Sequence, residues 1–502
     1  MVNPWSLENA SIADLRRSLL ERRVTIRALT ERYIDRVHRL DWDGPTLRSV
    51  IEINPDALEI AGALDEELRT RGPRGPLHGI PILLKDNIDT ADRMQTSAGS
   101  LALEGSHAGN DAGVARGLRE AGAVLLGKAN MSEWANFRSP HSSSGWSARG
   151  GQCRNPYALD RTPSGSSSGS AAAVAADLVT ASIGTETDGS IISPASACGV
   201  VGIKPTVGLT SRAGVIPVSR TQDTVGVFGR SVADAATLLG VVTGSDEWDA
   251  ATRDRDRVAH RDYTRYLGLS MEGMRIGIPR EIYFSYSPKG TQVAEIAIEV
   301  LRGLGASIVD PADITSGHEI ETSEAERVIL LHEFKAGLNQ YLATRSAPGI
   351  TSLQDVIDFN ERHADRELQY FGQETLIMAS QCGGLDEPAY LEALRTTRRL
   401  SRDEGIDAVM DRYELDVLLM PSGSPAIKID LVNGGRGYGG SSQVAAQAGY
   451  PAISVPAGYV SDLPVGITLV GGAWTEAMLV RVAYAFEQAT RVWHPPHFIP
   501  YS

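Results

Sequence analysis

Between about residues 78 and 245, short apolar runs alternate with glycine-rich turns and alanine-rich segments, and this alternation constrains the fold of the 502-residue chain more than any other feature. IPILLK (80–85), AVLLGKAN (123–130) and VTASIGTET (179–187) read as strands, while GVARGLREAG (113–122) and SAAAVAADL (170–178) read as helices. Strand alternating with helix predicts an α/β layered core. Strand texture returns at MRIGIPR (274–280), DVLLMPS (416–422), PAISVPAGY (451–459) and LPVGITLVGG (463–472), and a last helix covers about 475–490. These late strands are expected to rejoin the same sheet. Ahead of the core, residues 8–40 predict two helices opened by Ser11 and Thr25, and 55–71 a third that starts at the Pro55-Asp56 cap signal. Residues 291–304 predict another helix. Residues 315–415 are charged and helical, with long amphipathic stretches around 322–345 and 352–380, and read as an insertion. The expected organisation is one discontinuous domain over 1–502. It comprises N-terminal helices (1–75), a core (76–245), a helical insertion (315–415) and a return to the sheet (416–495), with no internal repeat and no low-complexity linker.

Composition removes several classes of function. A net charge of −14 gives no phosphate-neutralising surface, so neither nucleic acid nor an anionic membrane is an expected partner. No window approaches the roughly 18 apolar residues of a membrane span. The N-terminus MVNPWSLENASIADL lacks a basic stretch followed by an apolar one, so the expected location is cytoplasmic; a mature start left by processing fits the same residues. The cysteines, Cys153, Cys198 and Cys382, are too few for a disulfide framework and none forms a C-x-x-C site; each reads as a buried thiol. No metal or cofactor is expected, because His332-Glu333 lacks the second histidine of a zinc motif. Gly122–Ala129 nearly spells a phosphate loop, but Ala129 stands where Ser or Thr would hold magnesium. Gly165-Ser166-Ser167-Ser168-Gly169 spells a nucleophile elbow without the strand that must precede one.

Three segments carry chemistry. His78-Gly-Ile-Pro-Ile-Leu-Leu-Lys85-Asp86-Asn87 sets a lysine at the exit of an apolar strand, where desolvation favours a neutral base; a snorkelling or paired lysine fits the same pattern. Pro163-Ser-Gly-Ser-Ser-Ser-Gly-Ser-Ala171 reads as a catalytic loop or as a flexible cap before an alanine-rich helix. Gly184-Thr-Glu-Thr-Asp-Gly-Ser190-Ile-Ile-Ser-Pro194 ends a strand and presents a serine on a turn whose backbone N–H groups suit an oxyanion. Together, and in this order, they resemble the amidase signature family. Lys85 follows that family's G-I-P-x-x-x-K-D pattern. Residues 163–171 follow P-G-G-S-S-G-G-S-A with Ser164 and Ser168 in place of glycines. Residues 185–194 follow T-D-x-G-G-S-I-R-x-P with Asp188 in place of a glycine and Ile192 in place of the arginine. Gly202–Thr206, Ala448–Gly458 and Leu463–Gly466 extend the likeness, which covers about 25–245 and 410–490.

The resemblance implies a large mixed sheet flanked by helices on both faces, and a cofactor-independent amidase. It implies Ser190 as nucleophile, Ser166 after a cis Gly165–Ser166 peptide as proton relay, and Lys85 as base. It implies an oxyanion hole from the N–H groups of Thr187, Asp188, Gly189 and Ser190. Loss of the arginine at Ile192 points to a neutral acyl side. The texture of 132–152 looks most like bacterial peptide amidases, with Phe137, Ser139, Trp146 and Ile192 as pocket candidates and Trp134 nearby; core packing fits the aromatic residues equally. The expected partner is a small-molecule or peptide amide. A face of the insertion is a candidate homodimer surface. An amidotransferase A-type subunit, working on charged tRNA within a complex, and a non-catalytic binding module are the alternative readings.

Overall fold

A computed structural model describes residues 7–253, 260–345, 349–435 and 439–501. In chain order its helices and strands are α1 (Ile12–Leu20), α2 (Ile26–Arg36), β1 (Val50–Ile53), α3 (Ala57–Arg71), β2 (Pro81–Lys85), α4 (Gly113–Glu120), β3 (Val124–Ala129), β4 (Trp146–Ser147) and β5 (Gly151–Gln152). Next come α5 (Ser168–Ala175), β6 (Ala181–Glu186), α6 (Ile192–Ala197), β7 (Val201–Lys204), β8 (Thr224–Gly229) and α7 (Val232–Val242). Then come β9 (Arg275–Gly277), α8 (Arg280–Tyr283), α9 (Pro288–Gly303) and β10 (Ser307–Val309). The insertion holds α10 (Gly317–Thr322), α11 (Ala325–Leu342), α12 (Leu353–Arg362), α13 (Ala364–Glu367), α14 (Glu374–Ser380), α15 (Pro388–Arg398) and α16 (Asp407–Tyr413). The chain closes with β11 (Val417–Pro421), α17 (Gln443–Ala448), β12 (Ala452–Val460), β13 (Leu463–Val470) and α18 (Glu476–Thr490).

Eleven strands form one mixed sheet in the order β1-β3-β2-β6-β8-β7-β12-β13-β11-β9-β10. The late strands therefore do rejoin the early ones, where β12 pairs antiparallel with β7. Alternate residues of one strand serve two different cores. Val417 and Leu419 of β11 join the cluster containing α9 and α18, whereas Leu418 and Met420 join the one containing α8, α16 and α17. Period-2 side chains buried on both sides require helices on both faces. The chain is thus an α/β fold around a large mixed sheet.

The local signals at the N-terminus act as written. Ser11 and Asp14 form a reciprocal cap on α1, and Thr25 accepts from the Ala28 amide to cap α2. At α3 the cap signal differs: Asp56 makes no capping bond, because its carboxylate pairs with Arg93 instead. The expected strand at 274–280 shrinks to Arg275–Gly277, since Pro279 has no N–H for a ladder. The stretch 352–380 breaks into α12, α13 and α14 rather than running on. Its apolar residues, Leu353, Val356, Ile357 and Leu376, pack with Phe334 and Leu338 of α11, and this needs a bent path. Cys153 and Cys198 are buried free thiols, whereas Cys382 is only half-buried. Among the described residues no helix is long and apolar enough to cross a membrane.

Candidate active site

All five residues of β2 are buried, which carries Lys85 into the protein interior. β2 runs parallel to β6, with Leu84 opposite Ile183, so the C-terminal ends of both strands open at the same edge. Crevices outside such ends are where open α/β sheets place ligands. Lys85 Nζ lies 2.7 Å from Ser166 Oγ, 2.8 Å from Thr185 Oγ1 and 3.1 Å from the Thr185 carbonyl. Its three partners are all neutral oxygens. Burial pulls the lysine down to about 7, against the opposing pull of Asp223 and Glu186.

Ser166 follows a cis Gly165–Ser166 peptide just before α5. A Cβ on Gly165 would run into the hydroxyls of Ser132, Ser144 and Ser168, so the close approach of three serines requires glycine there. The next residue zips this loop to β6: Ser167 Oγ donates to the Thr185 carbonyl (2.9 Å) and accepts the Thr185 N–H (3.2 Å).

Ser190 sits on the turn from β6 to α6 and is 7% exposed. The turn is possible because Gly189 adopts φ +75°, where a side chain would also crowd Ser442 and Ser193. Glu186 spans the turn: its Oε2 accepts the N–H groups of Ile191 (2.6 Å) and Ile192 (2.9 Å). The N–H groups of Asp188, Gly189 and Ser190 donate to no protein acceptor among the described residues. Thr187 is fixed from the side, its hydroxyl donating to Asp223 Oδ1 (2.6 Å), while Asp223 Oδ2 accepts from Val218 and Ser219. Burial pushes the Asp223 carboxyl up to about 6. Ser190 and Ser166 meet through the backbone, the Ser167 N–H donating to the Ser190 carbonyl at 3.2 Å; no side-chain hydrogen bond joins them.

The structure therefore gathers Lys85, Ser166, Ser190 and the turn 187–190 at one edge of the sheet. It does not gather the four pocket candidates around an open cleft. Ile192 is fully buried and packs with Val444 and Ala445 of α17, because α6 turns that side chain into the core. Trp146 is 4% exposed, edge-on to Phe371 (5.2 Å), with the Arg138 guanidinium 4.9 Å from its ring. Phe137 packs against the ring of Phe334 (5.0 Å), and the buried Ser139 accepts the His141 N–H (3.1 Å). Trp134 is buried in the same apolar cluster as Phe334. Two other clefts flank the turn that carries Ser190. One, of about 240 Å³, is lined by Ser164, Gly165, Ser193, Ser196, Ser422 and Ser424, with no charged side chain among the described residues that line it. The other, of about 370 Å³, is lined by Asn87, Thr185, Thr187, Asp223, Trp248 and Tyr341. A depression of about 1290 Å³ between α1, α4 and the end of α7 is lined by neither Ser166, Ser190 nor Lys85.

Sequence reasoning passed over Thr185, Glu186 and Asp223. An acid at a strand end, five residues before the N–H it binds, is a weak local signal for Glu186. Asp223 has none, since it reaches Thr187 from 36 residues away.

The family model described as Amidase matches residues 28–480. The native peptide amidase of Stenotrophomonas maltophilia is 49% identical, with a TM-score of 0.92, covering 97% of this chain and 98% of that one. A probable amidase of Arabidopsis thaliana is 43% identical over 99% of this chain and 93% of its own length. The A-type subunit of the Thermotoga maritima glutamyl-tRNA(Gln) amidotransferase is 29% identical with a TM-score of 0.68, over 93% of this chain and 95% of that one.

Proposed function

The chain belongs to the amidase family, whose members hydrolyse amide C–N bonds, and on that premise we propose that it converts a neutral carboxamide to a carboxylate and ammonia through an acyl-enzyme on Ser190. The observation that carries this reading is the 2.7 Å contact between the buried Lys85 Nζ and Ser166 Oγ, set beside the free N–H groups of the Ser190 turn.

In the resting enzyme Lys85 is neutral and its lone pair takes the Ser166 proton, while Ser166 takes the proton of Ser190 as Ser190 Oγ attacks the carbonyl carbon. The negative oxygen that forms is held by the N–H groups of Thr187, Asp188, Gly189 and Ser190. The proton then returns along the same path to the leaving nitrogen, ammonia departs, and water cleaves the ester. Asp86, which follows the base, accepts from Ser97 and from the Gly99 N–H (3.0 Å), so the exit of β2 is held from both sides.

A C-terminal peptide amide is the favoured substrate class. It rests on the likeness to the peptide amidase and on the small cleft of serines and glycines beside Ser166, whose hydroxyls offer hydrogen-bond partners to a peptide backbone. The amidotransferase reading is weaker, with a lower identity and a TM-score of 0.68 against 0.92. Ammonia release from blocked dipeptide amides and from benzamide, by wild type and Ser190→Ala in parallel, tests the proposal. Release by wild type alone supports it, with the dipeptide amides preferred. Equal release by Ser190→Ala would remove Ser190 from the mechanism.

A further inference from the structure

Two buried glutamates of the helical insertion grip the loop that steadies the turn carrying Ser190. Glu326 and Glu333 stand about two turns apart on α11 and so project to the same side of the helix. Glu333 Oε2 accepts from Ser219 Oγ (2.5 Å), the Thr221 N–H (3.1 Å) and Thr221 Oγ1 (3.0 Å). Its Oε1 accepts from the Tyr390 hydroxyl of α15 (2.7 Å), and the exposed Arg220 lies 3.6 Å away. Glu326 accepts from the side-chain amides of Gln222 (2.9 Å), Gln443 (3.0 Å) and Gln447 (3.0 Å). The loop from Ser219 to Gln222 is thus tied to the insertion at both ends.

That loop in turn holds Thr187. Asp223 Oδ1 accepts from the Thr187 hydroxyl (2.6 Å), and Gln222 Nε2 reaches the Thr187 carbonyl (3.4 Å). A second arm runs through α17, where Ser442, the residue before Gln443, donates its hydroxyl to Asp188 Oδ1 (2.6 Å). Glu186 secures the far side of the turn at Ile191 and Ile192, so Thr187 and Asp188 depend on side chains from outside it. Glu326, Glu333 and Gln222 are all buried, and a hydrogen-bond partner lost at a buried group is not freely replaced by bulk water.

We propose that Glu326 and Glu333 are positioning residues for the oxyanion turn. Through the 219–223 loop, and for Glu326 also through α17, they set where the N–H groups of 187–190 point. The inference rests on the reading of Ser190 as nucleophile and of those N–H groups as oxyanion donors. The physical reason is that an oxyanion hole acts only when its donors are fixed before charge develops, so that none has to reorient during the reaction. The insertion is then part of the catalytic apparatus, although neither glutamate touches the reacting atoms.

The test uses the full chain, a blocked dipeptide amide as substrate and the matching peptide trifluoromethyl ketone as inhibitor. Ser190 Oγ adds to the ketone carbon, its proton passes through Ser166 to Lys85, and the carbonyl oxygen takes the negative charge into the turn. Glu326→Ala and Glu333→Ala should each lower kcat by about tenfold or more with KM nearly unchanged. The ketone Ki should rise by the same factor as kcat/KM falls. An unchanged ketone Ki in a variant that melts as a folded protein, or a loss confined to KM, overturns the proposal. Glu326→Ala combined with Gln222→Ala should lose less than the product of the two single losses, because both break one path to Thr187; losses that multiply fully overturn that path. If an alanine variant does not fold, Glu326→Gln decides by the same two readouts, since it keeps the side chain's size but turns one acceptor oxygen into a donor among amide donors. Failure of the Ser190 reading would show separately, as ketone binding equally well to Ser190→Ala.

Discussion

Lys85 is where the conflict between stability and chemistry is sharpest. A lysine drawn down to about 7 in the folded state binds fewer protons there than in the unfolded chain between pH 7 and its ordinary range. Folding stability therefore rises with pH across that window, and at pH 7 the buried amine costs on the order of 4 kcal/mol. Lys85→Met should abolish turnover yet be more stable than wild type at pH 7, with the gap narrowing by pH 9.5; denaturant titrations at the two pH values check this. As the proposed base, the same group should set the acid limit. Because the base must be neutral, kcat/KM should fall as pH drops through about 7, and a profile flat through that pH would remove Lys85 as base. Ser166→Ala should lose most activity but keep a measurable remnant, since it removes the proposed relay and leaves the proposed nucleophile.

At the scale of elements, the β6–α6 turn depends on a glycine and a carboxylate. Gly189→Ala should cost about 1–2 kcal/mol for the left-handed backbone, and more for a Cβ only 2.9 Å from Ser442 Oγ. A larger loss should appear in kcat, because a shifted turn misdirects three N–H groups together. Glu186→Ala frees the N–H groups of Ile191 and Ile192 and should lower kcat by about tenfold or more with little change in KM. Steady-state kinetics with a thermal melt separates that outcome from simple unfolding. Both elements were legible as strand and turn from Ala181 onward. Their hydrogen-bond closure was not, because it depends on a side chain folding back over residues in between.

Across the whole molecule, the insertion is bound to the core by buried charge. Arg138 donates to Glu133 Oε1 (2.6 Å) and to the Glu367 carbonyl (2.6 Å), and Glu367 Oε1 accepts from Ser100 and from the Leu101 N–H. Removing one partner of such a network strands the others without water. Arg138→Met should therefore destabilise by about 3–5 kcal/mol, read by chemical denaturation, and should weaken the packing of α13 and α14 on the core first. The pocket candidates pack against neighbouring side chains instead of facing the two clefts beside Ser190. Phe137, Trp146 and Ile192 are apolar residues near the motif in sequence, and the nearest apolar surface for each is the insertion or the core, not a ligand.

The sequence by itself determined the strand–helix alternation, the capped N-terminal helices and the identity of the lysine and serines, because periodicity, caps and glycine-rich turns act over a few residues. It also dictated that Gly165 and Gly189 stand where they do, since only glycine accepts those close approaches. Only the tertiary structure decided that strands as far apart in the chain as β7 and β12, where Ile453 pairs with Ile203, share one sheet with order β8-β7-β12-β13. It likewise decided that Asp223 steadies Thr187, and that Glu326 of the insertion is joined through Gln222 to the Thr187 carbonyl. Those contacts join residues far apart in the chain, and the free energy that selects them comes from burying whole faces at once, which no local stretch of sequence contains.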